Sequence, residues 1–347
     1  MSTFPDAVPD WQRALGGAAL NAEVRRSSRD FQVTEDLGFA PDGDGEHDLL
    51  WIEKEGQNTA WLAGVLAKFA GVRSADAGFA GLKDRHAIAR QWFSVRRPGG
   101  PKPDWRHFEA PGVRLLEVTR HGRKLKRGAH RGNRFRIALR DTGGLTDGVI
   151  TRLSAIRALG VPNYFGEQRF GNHAQNLKLA EQLIAGRRLP RNRRSLALSA
   201  ARSYLFNRIL ERRVGDGTWN RLLPGDVANL DGRGSIFAVE VVDGDLTQRT
   251  EKLELHPTGA LWGGGQPPVS GDVAKLEGAV IDAHADVARG LENAGLVQAR
   301  RALRMRVADF AWNMEDEKTM WLEFALARGS FATAVLRELV RSNENRQ

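Results

Sequence analysis

Gly81-Leu82-Lys83-Asp84-Arg85-His86 is the stretch around which the chain is organised, because it sets one carboxylate between two cations. Small residues, Gly78 to Gly81, lead into it, and a strand-forming segment, Gln91 to Arg96, follows it. Glycines before a charged turn let the backbone approach a ligand closely, and flanking cations favour the ionised carboxylate. An ordinary solvated turn between two strands is the alternative, since most charged side chains lie at the surface.

The composition is that of a basic globular protein large enough for two domains, with 347 residues, 41% hydrophobic and 27% charged. No run of eighteen apolar residues and no secretory leader are found, so we expect no membrane association and a cytoplasmic location. The absence of cysteine excludes disulfides, thiol catalysis and cysteine–zinc sites. The net charge of +10 points to nucleic acid or another polyanion as partner.

The hydrophobic pattern mixes helices and strands without regular βαβ alternation, which predicts an α+β fold with a mixed, largely antiparallel sheet. Helices are predicted at 58–69, 145–159, 176–185, 198–213, 273–293 and 331–341, and strands at 31–35, 48–54, 91–96, 113–120, 235–242, 301–307 and 319–327. We expect the last two strands to join the sheet formed by the first 140 residues.

A basic segment runs from Arg120 to Arg140, with nine lysines and arginines, two histidines and no acidic residue. Its second half alternates arginines with apolar side chains, namely Arg134, Phe135, Arg136, Ile137, Leu139 and Arg140. An ordinary half-exposed strand would show the same alternation. Because cations without a counter-charge repel one another, we favour a strand that binds phosphates.

The segment Asn163-Tyr164-Phe165-Gly166-Glu167-Gln168-Arg169-Phe170-Gly171 combines three aromatics, two glycines and an arginine. Such residues can stack on exposed bases, although packing at a domain junction is the alternative. Five further arginines lie between Arg187 and Arg194. Motifs for nucleotide phosphates, dinucleotides, zinc proteases and serine hydrolases are missing, and the histidines lack metal-ligand spacing. The chemistry is therefore expected to use a carboxylate and cations, with no cofactor and no metal.

Three stretches together resemble the D family (TruD type) of tRNA pseudouridine synthases, and the likeness runs nearly from end to end. They are Gly81–His86, Gly160–Gly171 and Gly329-Ser330-Phe331-Ala332-Thr333. The resemblance implies isomerisation of a uridine in the D-stem region of tRNA, usually position 13 of a glutamate tRNA. It also implies a discontinuous catalytic domain, residues 1–159 and 306–347, interrupted by an inserted α/β domain at 160–305.

The resemblance also implies roles for individual residues. Asp84 matches the catalytic aspartate, and Phe31 stands where the family places an aromatic beside the target base. Asn133 and Phe331 match positions that contact the uridine, with Phe135 lining the same pocket. Arg25 lies where a basic partner of the aspartate is expected; that partner is often lysine in the family. Arginine is a planar fork and lysine a point charge, so the family's pairing geometry does not carry over directly to Arg25 and Asp84.

Two other functions are compatible with the sequence. A non-catalytic RNA-binding or RNA-remodelling protein would use the same basic and aromatic residues, with Asp84 in a structural role. A metal-dependent nuclease built on Asp84 and His86 is less favoured, because no second cluster of carboxylates is found. We expect tRNA as the partner and a monomer as the oligomeric state.

Overall fold

The computed structural model describes residues 3–97 and 102–342. The strands are β1 (Leu20–Val24), β2 (Phe31–Asp36), β3 (His47–Lys54), β4 (Ala77–Phe79), β5 (Ile88–Arg96), β6 (Val113–His121), β7 (Gly132–Arg140), β8 (Val161–Pro162), β9 (Val227–Leu230), β10 (Ile236–Ala238), β11 (Leu255–Leu261), β12 (Ala299–Ala302), β13 (Arg304–Met305), β14 (Ala308–Asp316), β15 (Thr319–Ala327) and β16 (Val340–Ser342). The helices are α1 (Thr59–Phe69), α2 (Asp147–Leu159), α3 (Glu167–Phe170), α4 (Gln175–Ile184), α5 (Arg191–Gly215), α6 (Gly244–Glu251), α7 (Gly271–Asp282), α8 (Ala285–Asn293) and α9 (Ala332–Leu339).

The chain divides into two compact units. The sheet unit comprises Leu20–Asp147, Val307–Gly329 and Val340–Gln347. The helical unit comprises Met1–Ala19, Gly148–Arg306 and Ser330–Leu339. The segment expected to be inserted, 160–305, lies within the helical unit, which also takes in residues from both ends of the chain. No helix in the described part of the chain has both the length and the apolar character needed to cross a membrane.

The sheet unit is built on one large sheet with the strand order β14-β15-β7-β2-β5-β3-β6. β1 lies beside β7 and β16, and β4 beside β5. The pairs β2–β5 and β1–β16 are parallel and the other pairs of this sheet are antiparallel. The predicted α+β class with a mixed, largely antiparallel sheet is thus confirmed.

Helix α1 covers part of this sheet and begins where the sequence predicts. The Asn58 side chain accepts hydrogen bonds from the amides of Ala60 and Trp61, which satisfies backbone donors of the first turn. Leu62 and Leu66, one turn apart on the helix, are fully buried in a cluster with residues of β3 and β5 such as Phe93. This packing fixes the start of α1, where Thr59 forms hydrogen bonds with Lys83, the residue before Asp84.

The helical unit is organised around α5, whose buried residues form the centre of its core. A small antiparallel sheet has the order β10-β9-β11-β12. Tyr164, Phe165 and Phe170 are 1%, 6% and 0% exposed and belong to this core. Of the two alternatives for this segment, the structure favours packing over stacking on exposed bases, because the three aromatics form the interior of the unit.

Three element predictions also need correction. Residues 301–307 do not join the large sheet, since β12 pairs with β11 and β13 with β8. Their alternation identifies a buried side correctly, but periodicity carries no information on the partner strand. The single helix predicted at 273–293 is two helices, because His284 leaves helical geometry with φ −131° and stacks on Tyr204. The last helix ends at Leu339, and β16 then pairs with β1.

Candidate active site

Asp84 lies in the turn between β4 and β5, and this turn is fixed by hydrogen bonds to buried groups on the neighbouring elements. The amide of Lys83 donates to the Thr59 hydroxyl at the start of α1 (3.1 Å). That hydroxyl in turn donates to Gln91 Oε1 (3.0 Å). Arg85 and Gly56 exchange hydrogen bonds, since the Gly56 amide donates to the Arg85 carbonyl and Arg85 Nε donates to the Gly56 carbonyl. The position of the Asp84 backbone is therefore set by its surroundings.

The Asp84 carboxylate has two partners and remains partly accessible. Its Oδ1 accepts a hydrogen bond from the His86 amide (3.0 Å), and Arg25 Nη1 lies 3.0 Å from its Oδ2. The side chains of Arg25 and Asp84 are 25% and 31% exposed. The Arg25 guanidinium also lies 4.1 Å from the centre of the Phe31 ring, a cation–π contact. One carboxylate, one cation and one aromatic ring thus meet at the edge of solvent.

Arg25 reaches Asp84 from an unusual backbone conformation. Its φ of +64° lies in the left-handed region, which residues other than glycine rarely adopt. Such conformations cost of order 1–3 kcal/mol and concentrate at functional sites.

Lys54, at the end of β3, is a further cation beside Asp84 and is fully buried. Its ammonium group donates to the backbone carbonyls of Gln57 (2.8 Å) and Asp84 (2.9 Å). Burial lowers the pKa of Lys54 to about 8, while the negative charge of Asp84 opposes this shift. Lys54 therefore positions the residue that carries the carboxylate, through its backbone.

The cations next to Asp84 in sequence do not contact its carboxylate. Lys83 turns inward, and its Nζ lies 2.6 Å from Glu35 Oε2 in a pair whose side chains are 3% and 0% exposed. The other carboxylate oxygen of Glu35 accepts from the Trp92 amide (3.1 Å). Gly81 makes room for this arrangement, because a Cβ there would lie 3.2 Å from Lys83 Nζ. Arg85 is directed to the Gly56 carbonyl, so the expected flanking of Asp84 by these two cations is wrong.

Phe31, Asn133 and Phe135 lie on one face of the sheet. Phe31 is opposite Ile137 on β7, and Asn133 is opposite Glu35 on β2, which places alternate residues of both strands on the same side. The rings of Phe31 and Phe135 are 6.0 Å apart in an edge-to-face arrangement. A chain of contacts thus links Asp84 to Arg25, Phe31 and Phe135. Asn133 lies on the same face of the sheet as Phe135, two residues away along β7.

The Asn133 side chain carries a buried polar atom without a hydrogen-bond partner in the described part of the chain. Its carboxamide oxygen is buried and accepts no hydrogen bond from any described residue. An unsatisfied buried polar group costs about 1–3 kcal/mol, so this oxygen is suited to accept a bond from a ligand.

Phe331 belongs to the helical unit, unlike the other predicted residues. Its ring centroid is 6.4 Å from that of Phe165, and it is half-buried. It lines a hollow of about 140 Å³ together with Gln168, Arg169, Asn176, Leu196 and Ser199.

The alternating arginines of β7 point to the opposite face of the sheet from Phe135 and Asn133. Arg134 pairs with Asp309, Arg136 with Glu323 at 3.1 Å, and Arg140 with Asp30 at 2.7 Å. The premise that these cations lack counter-charges is wrong, because the carboxylates come from elsewhere in the sequence, mostly from β14 and β15. The ordinary half-exposed strand describes this face better than a phosphate-binding one.

Sequence reasoning missed Lys54 and Glu35. A signal was present, because each is an ionisable residue at an apolar position of an alternating strand: Lys54 follows Leu50 and Ile52, and Glu35 follows Phe31 and Val33. Among the described residues, no group of three or more histidines and acids is arranged to hold a metal ion.

Known proteins resemble this chain along nearly all of its length. The family model for tRNA pseudouridine synthase D (TruD) matches residues 14–187 and 174–339. A protein named tRNA pseudouridine synthase D from Methylococcus capsulatus is 48% identical over 344 residues, which cover 98% of this chain and 97% of that protein. Its namesake from Hydrogenovibrio crunogenus is 45% identical, with 96% and 97% covered.

A crystal structure shares the fold. It is that of a protein provisionally named tRNA pseudouridine synthase D (TruD) from Methanosarcina mazei, with a TM-score of 0.72, 21% identity and 96% of each chain covered. Family model and relatives agree along nearly the whole length of the chain, which therefore belongs to the tRNA pseudouridine synthase D family.

Proposed function

We propose that this protein converts a uridine of tRNA to pseudouridine, with Asp84 as the catalytic carboxylate. The observation that carries the proposal is the Asp84 carboxylate itself. It is paired with Arg25, lies on a turn held by hydrogen bonds to Lys54 and Thr59, and is still 31% exposed. Glu35, in contrast, is enclosed together with its partner Lys83.

The reaction breaks the N1–C1′ glycosidic bond, turns the uracil, and joins its C5 to C1′. The proton on C5 is lost and N1 gains one, so nothing is oxidised and no group leaves the site. A carboxylate can act on the ribose as a nucleophile at C1′ or as a base at C2′. In either role the positive charge of Arg25 lies 3.0 Å from the carboxylate.

The detached uracil must be held while it turns. We propose that Phe31 and Phe135 supply aromatic surface for it, and that Asn133 accepts a hydrogen bond from a ring N–H through its unsatisfied oxygen. Phe331 is proposed, separately, as a residue that binds the RNA substrate. Base–aromatic stacking is worth about 1–3 kcal/mol per base. Reaching the ribose requires the nucleotide to be flipped out of the RNA stack.

The substrate and the division of labour along the chain are part of the same proposal. We propose uridine 13 of the glutamate tRNA as the reacting nucleotide. Residues 1–159 and 306–347 would form the catalytic domain, and 160–305 an inserted domain that helps to hold the RNA.

The test is to incubate the purified protein with a glutamate tRNA transcript in the presence of EDTA and to map pseudouridine. The expected result is one modified position, lost when uridine 13 is replaced by cytidine. Binding without modification would favour the non-catalytic RNA-binding alternative, cleavage restored by a divalent metal would favour a nuclease, and modification elsewhere would refute position 13 alone.

A further inference from the structure

A second basic surface lies in the helical unit, at the first turns of α5. It is a cleft of about 560 Å³, within the size range of small-ligand sites. We call it the α5 cleft; its lining residues include Arg169, Arg191, Arg194, Arg202, Ser195 and Leu261.

The α5 cleft contains four arginines, three serines and no carboxylate. None of the four arginines lies within ion-pair distance, 4.0 Å, of an acidic side chain among the described residues. Their hydrogen-bond acceptors are neutral: Arg169 donates to the Ser199 hydroxyl (2.9 Å), Arg194 to the Ala294 carbonyl (3.2 Å), and Arg202 to the Leu261 carbonyl (2.7 Å). This contrasts with β7, where each alternating arginine has an acidic partner.

Burial makes this concentration of positive charge unfavourable without a ligand. It lowers the pKa of Arg169 and of Arg202 below the usual arginine value. Burial, and then the charge of Arg169, lower the pKa of the nearby Arg301 to about 9. Arg169 and Arg301 lie on the same ring, 5.1 and 4.1 Å from the centre of Phe165. An anion in the cleft would offset both the desolvation and the mutual repulsion.

The other residues that line the α5 cleft indicate what kind of anion it would bind. Leu198, Leu261 and Leu296 provide an apolar wall, and the hydroxyls of Ser195 and Ser199 lie beside the arginines. A phosphate, a sugar hydroxyl and the flat face of a base match this combination of cation, hydroxyl and apolar surface.

We propose that the α5 cleft binds a nucleotide of the RNA substrate other than the reacting uridine, with its phosphate at Arg191 and Arg194. This inference rests on the proposed function for the identity of the RNA. The cleft would act as an anchor that contributes to affinity and takes no part in the chemical step.

The test uses the full-length protein and two kinds of variant that preserve the fold. Arg191→Gln/Arg194→Gln removes two exposed cations. Ser195→Glu removes none, but it adds a carboxylate that would pair with the cleft arginines. An acidic residue near a helix N-terminus does not destabilise the helix, so Ser195→Glu should melt like the wild type. The matched control is Arg134→Gln/Arg136→Gln on β7.

Dissociation constants for tRNA are measured between about 50 and 200 mM salt. Because the double substitution removes two cations that bind phosphate, affinity should fall roughly ten- to hundredfold and the slope of log affinity against log salt by about one to two units. Both cleft variants should show this, and the β7 control should keep the wild-type slope. At saturating tRNA, the cleft variants should reach the wild-type rate of pseudouridine formation.

Wild-type affinity and slope in both cleft variants would overturn the inference, and so would an equal effect in the β7 control. Binding of uridine monophosphate or ATP to the cleft at micromolar concentration, with tRNA affinity unchanged by the substitutions, would identify the ligand as a free nucleotide. The inference would then be wrong. A wild-type protein that binds tRNA through the cleft but forms no pseudouridine would refute the proposed function and leave the anchor standing.

Discussion

Two ion pairs of the sheet unit, Lys83–Glu35 and Arg25–Asp84, use the same chemistry in different surroundings. Lys83 and Asp84 are adjacent in the chain, yet their side chains point to different partners. The first pair is closed off, with 3% and 0% of its side chains exposed, and the second is open, with 25% and 31%. An enclosed pair determines stability, because removal of one partner leaves the other charge buried without compensation. Access to solvent leaves a carboxylate available to a substrate.

The largest effect is expected at the open pair. Asp84→Asn keeps the shape of the side chain and removes the charge and the nucleophilic oxygen, so pseudouridine formation should fall by at least about a thousandfold, or ~4 kcal/mol of barrier. The melting temperature should change little, since a partly exposed pair contributes about 0–1 kcal/mol, and tRNA binding should persist.

The control for this experiment is Asp76→Asn, which breaks another 3.0 Å arginine–aspartate contact, that with Arg73. It should keep full activity. A folded Asp84→Asn protein that still modifies tRNA, with contaminating enzyme excluded, would end the catalytic assignment.

Breaking the enclosed pair, Lys83–Glu35, should reduce the stability of the protein, whereas breaking the open pair should reduce its activity. Lys83→Met leaves the Glu35 carboxylate buried without its cation and should reduce the free energy of unfolding by about 3–5 kcal/mol. Adding Glu35→Gln should recover much of this loss, because the amide is neutral and still accepts from Trp92. Chemical denaturation of the single and double variants measures the coupling. Additive losses would mean that the two side chains do not act as a pair.

Arg25 tests how much the open pair depends on charge alone. Opposite charges about 4 Å apart attract by roughly 1–4 kcal/mol between bulk water and a protein surface, so Arg25→Gln should slow turnover roughly ten- to hundredfold with little change in melting temperature. Arg25→Lys keeps the charge and should recover most of the rate if the ion pair with Asp84 is what turnover needs. If Arg25→Lys were as slow as Arg25→Gln, the planar group and its contact with Phe31 would be the essential feature.

The sequence was informative where local pattern decides the structure. Periodicity located α1, β5 and β15 to within a few residues and identified the buried side of residues 301–307. It failed where the answer depends on a partner distant in the chain. Nothing near Arg136 in sequence predicts its pairing with Glu323, and nothing near Lys83 predicts Glu35, because strand order and register create both contacts. Density of arginine on β7 was therefore a poor guide to phosphate binding.

The residues around Asp84 also include some that the sequence predicted and one, Lys54, that it did not. Family resemblance predicts Asp84, Arg25, Phe31, Asn133 and Phe135 as site residues, and all five lie in the sheet unit. Lys54 was missed because a lysine at the end of a strand is normally solvated, and only the fold shows that α1 and the Asp84 turn enclose it.

Lys54 links the two pairs and gives the smallest expected effect, a change of stability with pH. Its folded-state pKa of about 8 lies below the unfolded value of 10.5, because burial penalises the charged form. Between these two pH values the unfolded chain holds more of this proton than the folded chain does, so the contribution of Lys54 to stability rises with pH across that window.

Lys54→Met lacks this contribution and leaves the Asp84 carbonyl without its donor. Its melting temperature should be lower than that of the wild type, and the difference should widen from pH 8 to pH 10. Ile52→Val, a loss of one buried methylene on the same strand, should give a difference that does not change with pH. A difference for Lys54→Met that stays flat or narrows would show that the amine carries no burial penalty, and Lys54 would then be an ordinary strand-end lysine with no special role in holding the Asp84 turn.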